Sequence, residues 1–300
     1  GDFDGNGYLD LYCTNVPFGN PLFMNQGGGL FTEESGPAGV AAYRFGWSAH
    51  FLDFDNDTHL DLHVCNWNTP NLLYRHTGAF PCVDLADPLG LVSDGDDSTS
   101  SSTADIDLDG DVDILVTALD KPLRLFVNQE GHLSSWIAVE LKNPSSSGNL
   151  HAIGATIDVT AGGVTRTRYV GAGEGFRGQN SFVQSFGLGS ATLVEEIHVI
   201  WPGGDETSVF DVLPGQRVVL TPSGVLDAGF VRGDVSGGGS VDVADVVGSL
   251  SYLFLGGNAT CLDAADFDDN GAVDVSDPVA TLAFLFTGGS PPALPYPACG

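Results

Sequence analysis

Positive charge is scarce in this sequence. Its 300 residues include ten lysines and arginines against 39 aspartates and glutamates, which gives a formal net charge of −29. Nucleic-acid binding depends on lysine and arginine contacts with phosphates, and attraction to anionic lipids depends on the same side chains. We therefore expect no nucleic-acid partner, and the charge also argues against binding to an anionic membrane surface.

Long apolar runs are absent as well. None approaches the ~20 residues that a helix needs to cross a bilayer, so we expect no membrane insertion. The sequence begins at Gly1, one residue before an acidic loop, with neither a methionine nor an export signal. We interpret it as a fragment and expect any signal peptide to precede Gly1.

Patterns typical of catalysis are missing. The seven histidines form no HExxH, the serines form no GxSxG, and the eight glutamates are scattered rather than paired as in a glycosidase. Residues 173–178 spell GxGxxG, but β-type sequence on both sides does not match the strand-then-helix context of a dinucleotide site. We expect no catalytic residue and no organic cofactor in this chain.

Cysteine is also infrequent, with five residues and no CxxC pair, which argues against a zinc site. Cys65 and Cys82 bracket one repeat and are candidates for a disulfide. Cys261 and Cys299 are a second candidate pair, and Cys13 is left over. Disulfides would suit an exported protein.

Aspartate, in contrast, is abundant and patterned. Glutamate supplies only eight of the 39 acids, so 31 are aspartates, and this excess favours short ligands in tight loops. The loop 105–113 places a carboxylate at every second position, and the loops 2–10 and 53–61 place a carboxylate or amide there with one exception each, Tyr8 and His59. The first aspartates of the three loops lie 51 and 52 residues apart. Such carboxylates repel one another unless a cation lies among them, and a glycine permits the sharp turn, as in Ca²⁺ loops.

These stretches are called loops 1, 2 and 3. The predicted metal ligands are Asp2, Asp4, Asn6, Tyr8 and Asp10 in loop 1, Asp53, Asp55, Asp57, His59 and Asp61 in loop 2, and Asp105, Asp107, Asp109, Asp111 and Asp113 in loop 3. In loop 2, Thr58 replaces the turn glycine, so the geometry of that loop is less secure.

The repeat continues beyond the loops. Equivalent strands are predicted at 22–25, 73–76 and 125–128, and short β segments at a period of about 40–50 residues are typical of propeller blades. Residues 1–132 resemble the FG-GAP or VCBS repeats of integrin-α-like propellers. The resemblance implies a partial β-propeller of three blades, with Ca²⁺ held between two strands of each blade.

Residues 133–221 break this period. Strand-like runs are predicted at 136–141, 154–159, 165–170, 196–201 and 216–220. Several alternate apolar with polar residues and none has a helical period, which predicts an all-β module. The stretches 149–155, 187–189 and 199–203 resemble the ASPIC/UnbV domain, which follows FG-GAP repeats in cartilage-acidic-protein-like chains. The resemblance implies no known chemistry.

After a predicted linker at 222–230, residues 231–300 contain a duplicated loop with a repeat of 32 residues. Both copies have glycine at position 6, where an EF-hand loop turns sharply. The predicted ligands are Asp234, Ser236, Ser240, Asp242 and Asp245 in loop 4, and Asp266, Asp268, Asn270, Ala272, Asp274 and Asp277 in loop 5. Gly238 removes one ligand from loop 4, so we expect it to bind more weakly.

Each of these loops is followed by an amphipathic pattern that ends at a glycine pair, which predicts helices over 242–255 and 274–287. The predicted buried faces are Val246, Val247, Leu250, Leu253 and Phe254 in the first helix, and Val279, Leu282, Leu285 and Phe286 in the second. No helix is predicted before either loop, unlike a complete EF-hand.

This C-terminal region resembles a type I dockerin. The resemblance implies docking through the helices to a cohesin module on a scaffold or cell-surface protein. Positions 10 and 11 of each loop would help to choose the partner, and here they are Val243, Ala244, Val275 and Ser276.

Together these features predict a mainly β chain with a small α-helical dockerin, about five Ca²⁺ ions, and an extracellular or cell-surface location. The propeller is expected to present a face to a protein or carbohydrate ligand. An alternative remains open: the chain is a component of an extracellular polysaccharide-degrading complex, whose catalytic part is missing or absent.

Overall fold

The computed structural model describes residues 1–15, 18–91, 97–143, 148–227, 232–235, 241–257, 262–268, 270–289 and 292. These residues are mainly β. The chain divides into two compact units, one made of Gly1–Gln216 and Leu220–Gly224 and the other of Arg217–Val219 and Val225–Gly300. Across the described ranges, no helix has the length and apolar character needed to cross a membrane.

The repeats fold as three small antiparallel sheets. Sheet 1 contains β1 (Leu11–Tyr12), β2 (Leu22–Asn25) and β3 (Phe31–Glu33). Sheet 2 contains β4 (Phe45–Leu52), β5 (Asp61–Trp67), β6 (Leu72–Arg75) and β7 (Val83–Asp84). Sheet 3 contains β8 (Ser98–Ala104), β9 (Asp113–Ala118) and β10 (Arg124–Phe126). Loops 2 and 3 each connect the first two strands of a sheet, which pair directly.

Sheet 2 is covered by apolar side chains on both faces. Leu62 and Val64 belong to one hydrophobic cluster, whereas Cys65 and Leu73 belong to a second cluster shared with Ile114 of sheet 3. Successive side chains of a strand point to opposite faces, so adjacent residues of β5 enter different cores. Burying each such leucine stabilises the fold by about 1.5–3 kcal/mol.

This arrangement separates two cysteines that were candidates for a disulfide. Cys65 and Cys82 are both buried, but they lie in different clusters, and both have free thiols. The predicted Cys65–Cys82 pair is therefore wrong. Cys13 is also free, and Cys261 and Cys299 lie outside the described residues.

The middle region follows a short 3₁₀ turn at Gly131–Leu133. One sheet has the strand order β14-β11-β17-β18 and the other has the order β13-β12-β15-β16. Their bounds are β11 Ser135–Leu141, β12 Thr156–Ala161, β13 Val164–Tyr169, β14 Gln184–Gly189, β15 Val194–Ile200, β16 Glu206–Val212, β17 Gln216–Thr221 and β18 Gly224–Asp227. The five predicted strands are present. The sequence patterns missed β14, β16 and β18, and β18 falls within the segment interpreted as a linker.

The C-terminal unit contains three described helices, α1 (Val243–Leu255), α2 (Leu262–Ala265) and α3 (Ser276–Thr287). α1 and α3 lie where helices were predicted, and they end at Gly256 and Gly288, whose φ angles are 71° and 70°. Such left-handed residues are common helix ends because glycine has no Cβ to clash. The one-turn α2 directly precedes loop 5, so the prediction that no helix precedes it was wrong.

The predicted buried face of these helices was also wrong. Of its nine residues only Val246 is buried, whereas Val247 and Val279 are 60% and 59% exposed. The buried positions of α1 are Asp245, Val246 and Ser249, and those of α3 are Asp277, Pro278 and Thr281. The carboxylates of Asp245 and Asp277 bind backbone N–H groups of the loops, so the polar helix starts face inward and the apolar stripes face outward.

Candidate metal site

The last aspartate of each loop in the repeats joins the loop to a later strand. Each of these aspartates accepts two backbone N–H groups. One comes from the residue that follows the first aspartate of the same loop, and the other comes from the residue 15 positions after the accepting aspartate. The donors are Phe3 and Asn25 for Asp10 (both 2.7 Å), Phe54 and His76 for Asp61 (3.1 and 2.8 Å), and Ile106 and Asn128 for Asp113 (both 2.8 Å). Asp10, Asp61 and Asp113 therefore hold their loops even without a metal.

In loops 1, 2, 3 and 5, the fifth residue of the loop fixes the seventh. Its side-chain oxygen accepts the N–H two residues later, as an Asx turn does. These bonds are Tyr8 N to Asn6 Oδ1 (2.8 Å), His59 N to Asp57 Oδ1 (2.9 Å), Asp111 N to Asp109 Oδ1 (3.1 Å) and Ala272 N to Asn270 Oδ1 (3.0 Å). Four loops predicted from spacing thus share one backbone geometry.

The first aspartates of loops 1 and 3 each keep one oxygen without a partner. Asp2 Oδ2 accepts from Gly7 N (3.1 Å), and Asp105 Oδ2 accepts from Gly110 N (3.0 Å). The other oxygen, Oδ1 of both residues, is buried and has no hydrogen-bond partner. Because an unsatisfied buried polar atom costs about 1–3 kcal/mol, these two oxygens indicate the place of a further ligand.

Carboxylate oxygens converge in loops 1, 3 and 5. In each loop, three oxygens lie within 4.8 Å of one another. The groups are Asp2, Asp4 and Asp10, then Asp105, Asp107 and Asp113, and then Asp266, Asp268 and Asp277. Hard oxygen ligands brought together in this way fit Ca²⁺.

The electrostatics of these groups are unfavourable without a cation. Burial, which disfavours the charged form, raises the pKa of Asp105 to about 6, with smaller contributions from the charges of Asp109 and Asp107. Burial also raises the pKa of Asp2 and of Asp10, with smaller contributions from neighbouring aspartates. A cation among the oxygens would offset both effects.

Two predicted ligands of loop 3 lie in a separate group. Asp109 and Asp111 converge on His132, whose Nδ1 is 3.3 Å from Asp109 Oδ2 and 3.1 Å from Asp111 Oδ2. The hydrogen bond with Asp111 raises the pKa of His132. No sequence pattern predicted this contact, because His132 lies 21 residues beyond Asp111 and belongs to no motif.

Loop 2 differs from the others. Its convergent group is Asp53, Asp55 and Asp57, and Asp61 is not among them. Both oxygens of Asp53 accept backbone N–H groups, from Asp57 and Thr58 at 3.1 Å each, as both oxygens of Asp266 do in loop 5. A guanidinium lies against the loop: Arg75 Nη2 is 2.5 Å from Asp55 Oδ2 and 3.9 Å from Asp57 Oδ2.

The contact between Arg75 and Asp55 is a charge pair rather than an aligned hydrogen bond, since neither Asp55 oxygen has a hydrogen-bond partner of good geometry. Elsewhere in the described residues, no lysine or arginine ion pair reaches loop 1 or loop 3. Loops 1, 3 and 5 fit a bound cation. In loop 2 three carboxylates converge as well, but a guanidinium lies against them.

Loop 4 is only partly described, because Ser236 and Ser240 lie outside the described residues. Asp242 accepts from Ala244 N at 2.6 Å and so begins α1, and Asp245 Oδ2 accepts from Asp242 N at 2.8 Å. Loop 5 repeats both bonds with Asp274, Ser276 and Asp277 (2.7 and 2.8 Å).

The residues predicted to choose a partner lie at the starts of the helices. Val243 and Val275 are 50% and 57% exposed, and Ala244 is also exposed. Ser276 is half-buried, and its hydroxyl donates to Asp274 at 2.6 Å while lying 3.2 Å from a carboxylate oxygen of Asp268 in loop 5.

Comparison with known families accounts for much of the chain. Residues 2–64 and 53–116 match the FG-GAP-like repeat, and residues 145–226 match the family described as ASPIC and UnbV. The chain contains FG-GAP-like repeats and an ASPIC/UnbV domain. The predicted presence of FG-GAP repeats and of an ASPIC/UnbV domain is therefore confirmed.

Curated relatives match over a shorter stretch. Cartilage acidic protein 1 of Mus musculus is 36% identical over 83 residues, and the human protein is 34% identical over the same length. Each match covers 26% of this chain and 13% of the relative. The Xenopus tropicalis protein is 35% identical over 66 residues, or 22% of this chain and 10% of the relative. The match thus spans only about an eighth of the length of the mouse and human proteins.

The ASPIC/UnbV domain packs directly on loop 2. Arg166 of β13 donates to the Thr58 carbonyl (2.7 Å) and hydroxyl (3.1 Å), and Gly189 N donates to the Asn56 carbonyl (3.1 Å). A Cβ at Gly187 of β14 would lie 2.3 Å from Asp53 Oδ2, so only glycine fits there. Thr58 adopts a φ of 87°, the same value as Gly7 in loop 1, although threonine rarely occupies this region.

Loops 2 and 3 are also joined to each other. The buried Asn56 donates through Nδ2 to the carbonyls of Gly110 and Gly131, both at 3.0 Å. The Trp136 ring of β11 lies directly over Gly110. Loops 2 and 3 therefore form the surface on which the ASPIC/UnbV domain packs.

Proposed function

We propose that this chain is a calcium-stabilised, extracellular interaction protein whose C-terminal unit docks to a cohesin-bearing protein. FG-GAP-like repeats, an ASPIC/UnbV domain and similarity to cartilage acidic protein 1 support an interaction role outside the cell. In this proposal the three repeat sheets are successive propeller blades, with one face available to a protein or carbohydrate ligand.

The calcium proposal rests above all on the unpartnered, buried Oδ1 atoms of Asp2 and Asp105. Each belongs to a group of converging carboxylates, to which a bound Ca²⁺ would supply the missing positive charge. The residues that would hold the ion are the three aspartates of each group in loops 1, 3 and 5. Its role would be structural, since a cation that binds only the folded state stabilises that state.

Replacing Asp107 with alanine tests this proposal. Asp107 is exposed and belongs to the loop 3 group, so its contribution should depend on the metal. With Ca²⁺ at 100 times its dissociation constant, a site contributes about 2.7 kcal/mol, so Asp107→Ala should clearly lower the melting temperature. In EDTA the same change should have little effect.

The control is Asp205→Ala, an exposed aspartate outside every loop, which should behave like the parent chain in both conditions. Equal losses for Asp107→Ala with Ca²⁺ and with EDTA would contradict the proposal. Calorimetric titration of the metal-free chain should also show several Ca²⁺ equivalents, and a value of zero would rule the sites out.

The docking proposal is supported by a duplicated apolar surface. Four exposed residues of α1 recur on α3 at the same spacing of 32 residues. They are Val243, Val247, Leu250 and Phe254 on α1, and Val275, Val279, Leu282 and Phe286 on α3. Exposed apolar stripes of this kind are typical of docking surfaces. They include Val243 and Val275, for which the resemblance to a type I dockerin implies a role in partner choice.

Charge placed in these stripes should weaken docking. We expect Val247→Glu together with Val279→Glu to reduce affinity of the intact chain for a cohesin module at least tenfold, because each carboxylate would be buried against the partner. Isothermal titration with a purified cohesin would measure this. Both side chains are exposed, so an unchanged melting temperature would show that folding is preserved. Unchanged affinity, or no binding by the parent chain, would contradict the docking proposal.

A further inference from the structure

The repeats allow each residue of loop 2 to be compared with its equivalents. Arg75 directly precedes His76, just as Met24 precedes Asn25 and Val127 precedes Asn128 at the equivalent positions of the other repeats. All three strands pair in the same antiparallel way with the strand that follows the acidic loop. In the second repeat alone, this position therefore places a positive charge over the loop.

The guanidinium lies where a cation would otherwise be needed. Arg75 Nη2 is 2.5 Å from Asp55 Oδ2, and Asp55 is the third residue of the loop, equivalent to Asp4 and Asp107. Those two residues belong to the carboxylate groups of loops 1 and 3. A fixed positive charge at this distance would also repel a divalent ion approaching the same oxygens.

The turn of loop 2 is also held differently. Asp53 accepts N–H groups at both oxygens, but Asp266 of loop 5 does the same, so this feature alone does not separate loop 2 from the other loops. Thr58, in the place of the turn glycine, accepts a hydrogen bond from Arg166 at its carbonyl and pairs with the same guanidinium through its hydroxyl. The hydrogen bonds accepted by Asp53 and Thr58 are thus all donated by groups of the protein.

We propose that loop 2 is an arginine-paired loop that binds no Ca²⁺: the Arg75 guanidinium replaces the ion, and Arg166 holds the turn. The chain then has four calcium loops rather than five, and loop 2 is a metal-independent surface for the ASPIC/UnbV domain. This inference rests on the proposed function only in using loops 1 and 3 as calcium-binding references. The contacts of Arg75 and Arg166 with loop 2 do not depend on the calcium proposal.

Arg75→Met tests the inference by restoring the residue of the first repeat. Removing the guanidinium leaves three clustered carboxylates, so the variant should bind one Ca²⁺ equivalent more than the parent chain. Equilibrium dialysis with ⁴⁵Ca²⁺ would count the equivalents. Adding Asp55→Ala to Arg75→Met should abolish the extra equivalent, and Asp55→Ala alone should leave the parent count unchanged.

Two controls accompany this count. Arg75→Lys keeps a positive charge and should bind no extra ion, and Arg177→Met removes an arginine that stacks on Phe176 and should also leave the count unchanged. The inference is overturned if Asp55→Ala alone removes an equivalent from the parent chain, or if folded Arg75→Met gains none while the parent binds Ca²⁺ elsewhere.

A stability measurement separates this inference from the proposed function. In EDTA, Arg75→Met should melt several degrees below the parent chain, whereas Arg75→Lys should lose less because its charge remains. If the parent chain binds no Ca²⁺ at all, the calcium proposal fails, but this difference would still support the pairing by Arg75. Equal melting temperatures for the parent and Arg75→Met in EDTA would overturn the inference in either case.

Discussion

Gly110→Ala is expected to be among the most destabilising single substitutions in the first unit. A Cβ at this position would lie 1.8 Å from the Trp136 ring, and the φ of Gly110 is 96°, a conformation that alanine rarely adopts. Overpacking and a strained backbone each cost about 1–3 kcal/mol, so a loss of about 3 kcal/mol or more is expected. Urea unfolding followed by tryptophan fluorescence would measure it.

Gly7→Ala is the matched control, because Gly7 occupies the same position in loop 1. Its φ is 87°, but nothing lies within 4 Å of a Cβ there. This variant should therefore show the backbone cost alone, about 1–3 kcal/mol. The difference between the two variants measures the packing of Trp136 on loop 3, and similar losses would mean that this packing contributes little.

Asp113→Ala should destabilise the third repeat with or without Ca²⁺. It removes the acceptor of the Ile106 and Asn128 N–H groups, both bound at 2.8 Å. An unsatisfied buried donor costs about 1–3 kcal/mol, so a loss of about 2–5 kcal/mol is expected in EDTA. Amide hydrogen exchange should accelerate at Asn128.

The contrast with Asp107→Ala identifies the cause. Both aspartates belong to the same carboxylate group, but only Asp113 also holds the loop through hydrogen bonds, so only its replacement should be costly in EDTA. Asp113→Asn retains one side-chain oxygen as an acceptor and should lose less than Asp113→Ala. If Asp113→Ala were neutral in EDTA, the hydrogen bonds of the last aspartate would not stabilise the loop.

The period of the sequence predicted the repeats because each repeat is a local structure. The spacing identified every acidic loop in the described residues. It did not separate loop 2 from the others, since that difference depends on where the Arg75 side chain points. The sequence nevertheless contains one indication of this difference, since alignment of the repeats places Arg75 at the position of Met24 and Val127.

Long-range contacts were beyond the sequence patterns. Thr58 was expected to weaken its loop, but the structure shows it held by Arg166, 108 residues away. β14 was missed because it contains Gly187, whose small size is required by the approach of Asp53 and Asn56. The spacing of α1 and α3 predicted helices correctly, but periodicity cannot say which face of a helix is covered.

The contacts around loop 2 set an order for events during synthesis of the chain. Bonds within an acidic loop and its sheet connect residues at most 22 positions apart, as in the pairing of Phe45 with Trp67, so each repeat can close soon after it leaves the ribosome. The bonds from the ASPIC/UnbV domain to the second repeat span 108 to 133 residues, the longest being that from Gly189 to Asn56. At a synthesis rate of about 5–20 residues per second, Arg166 and β14 are synthesised roughly 5–25 s after loop 2. During that interval the nascent chain exposes the polar groups of Asn56 and Thr58 to solvent.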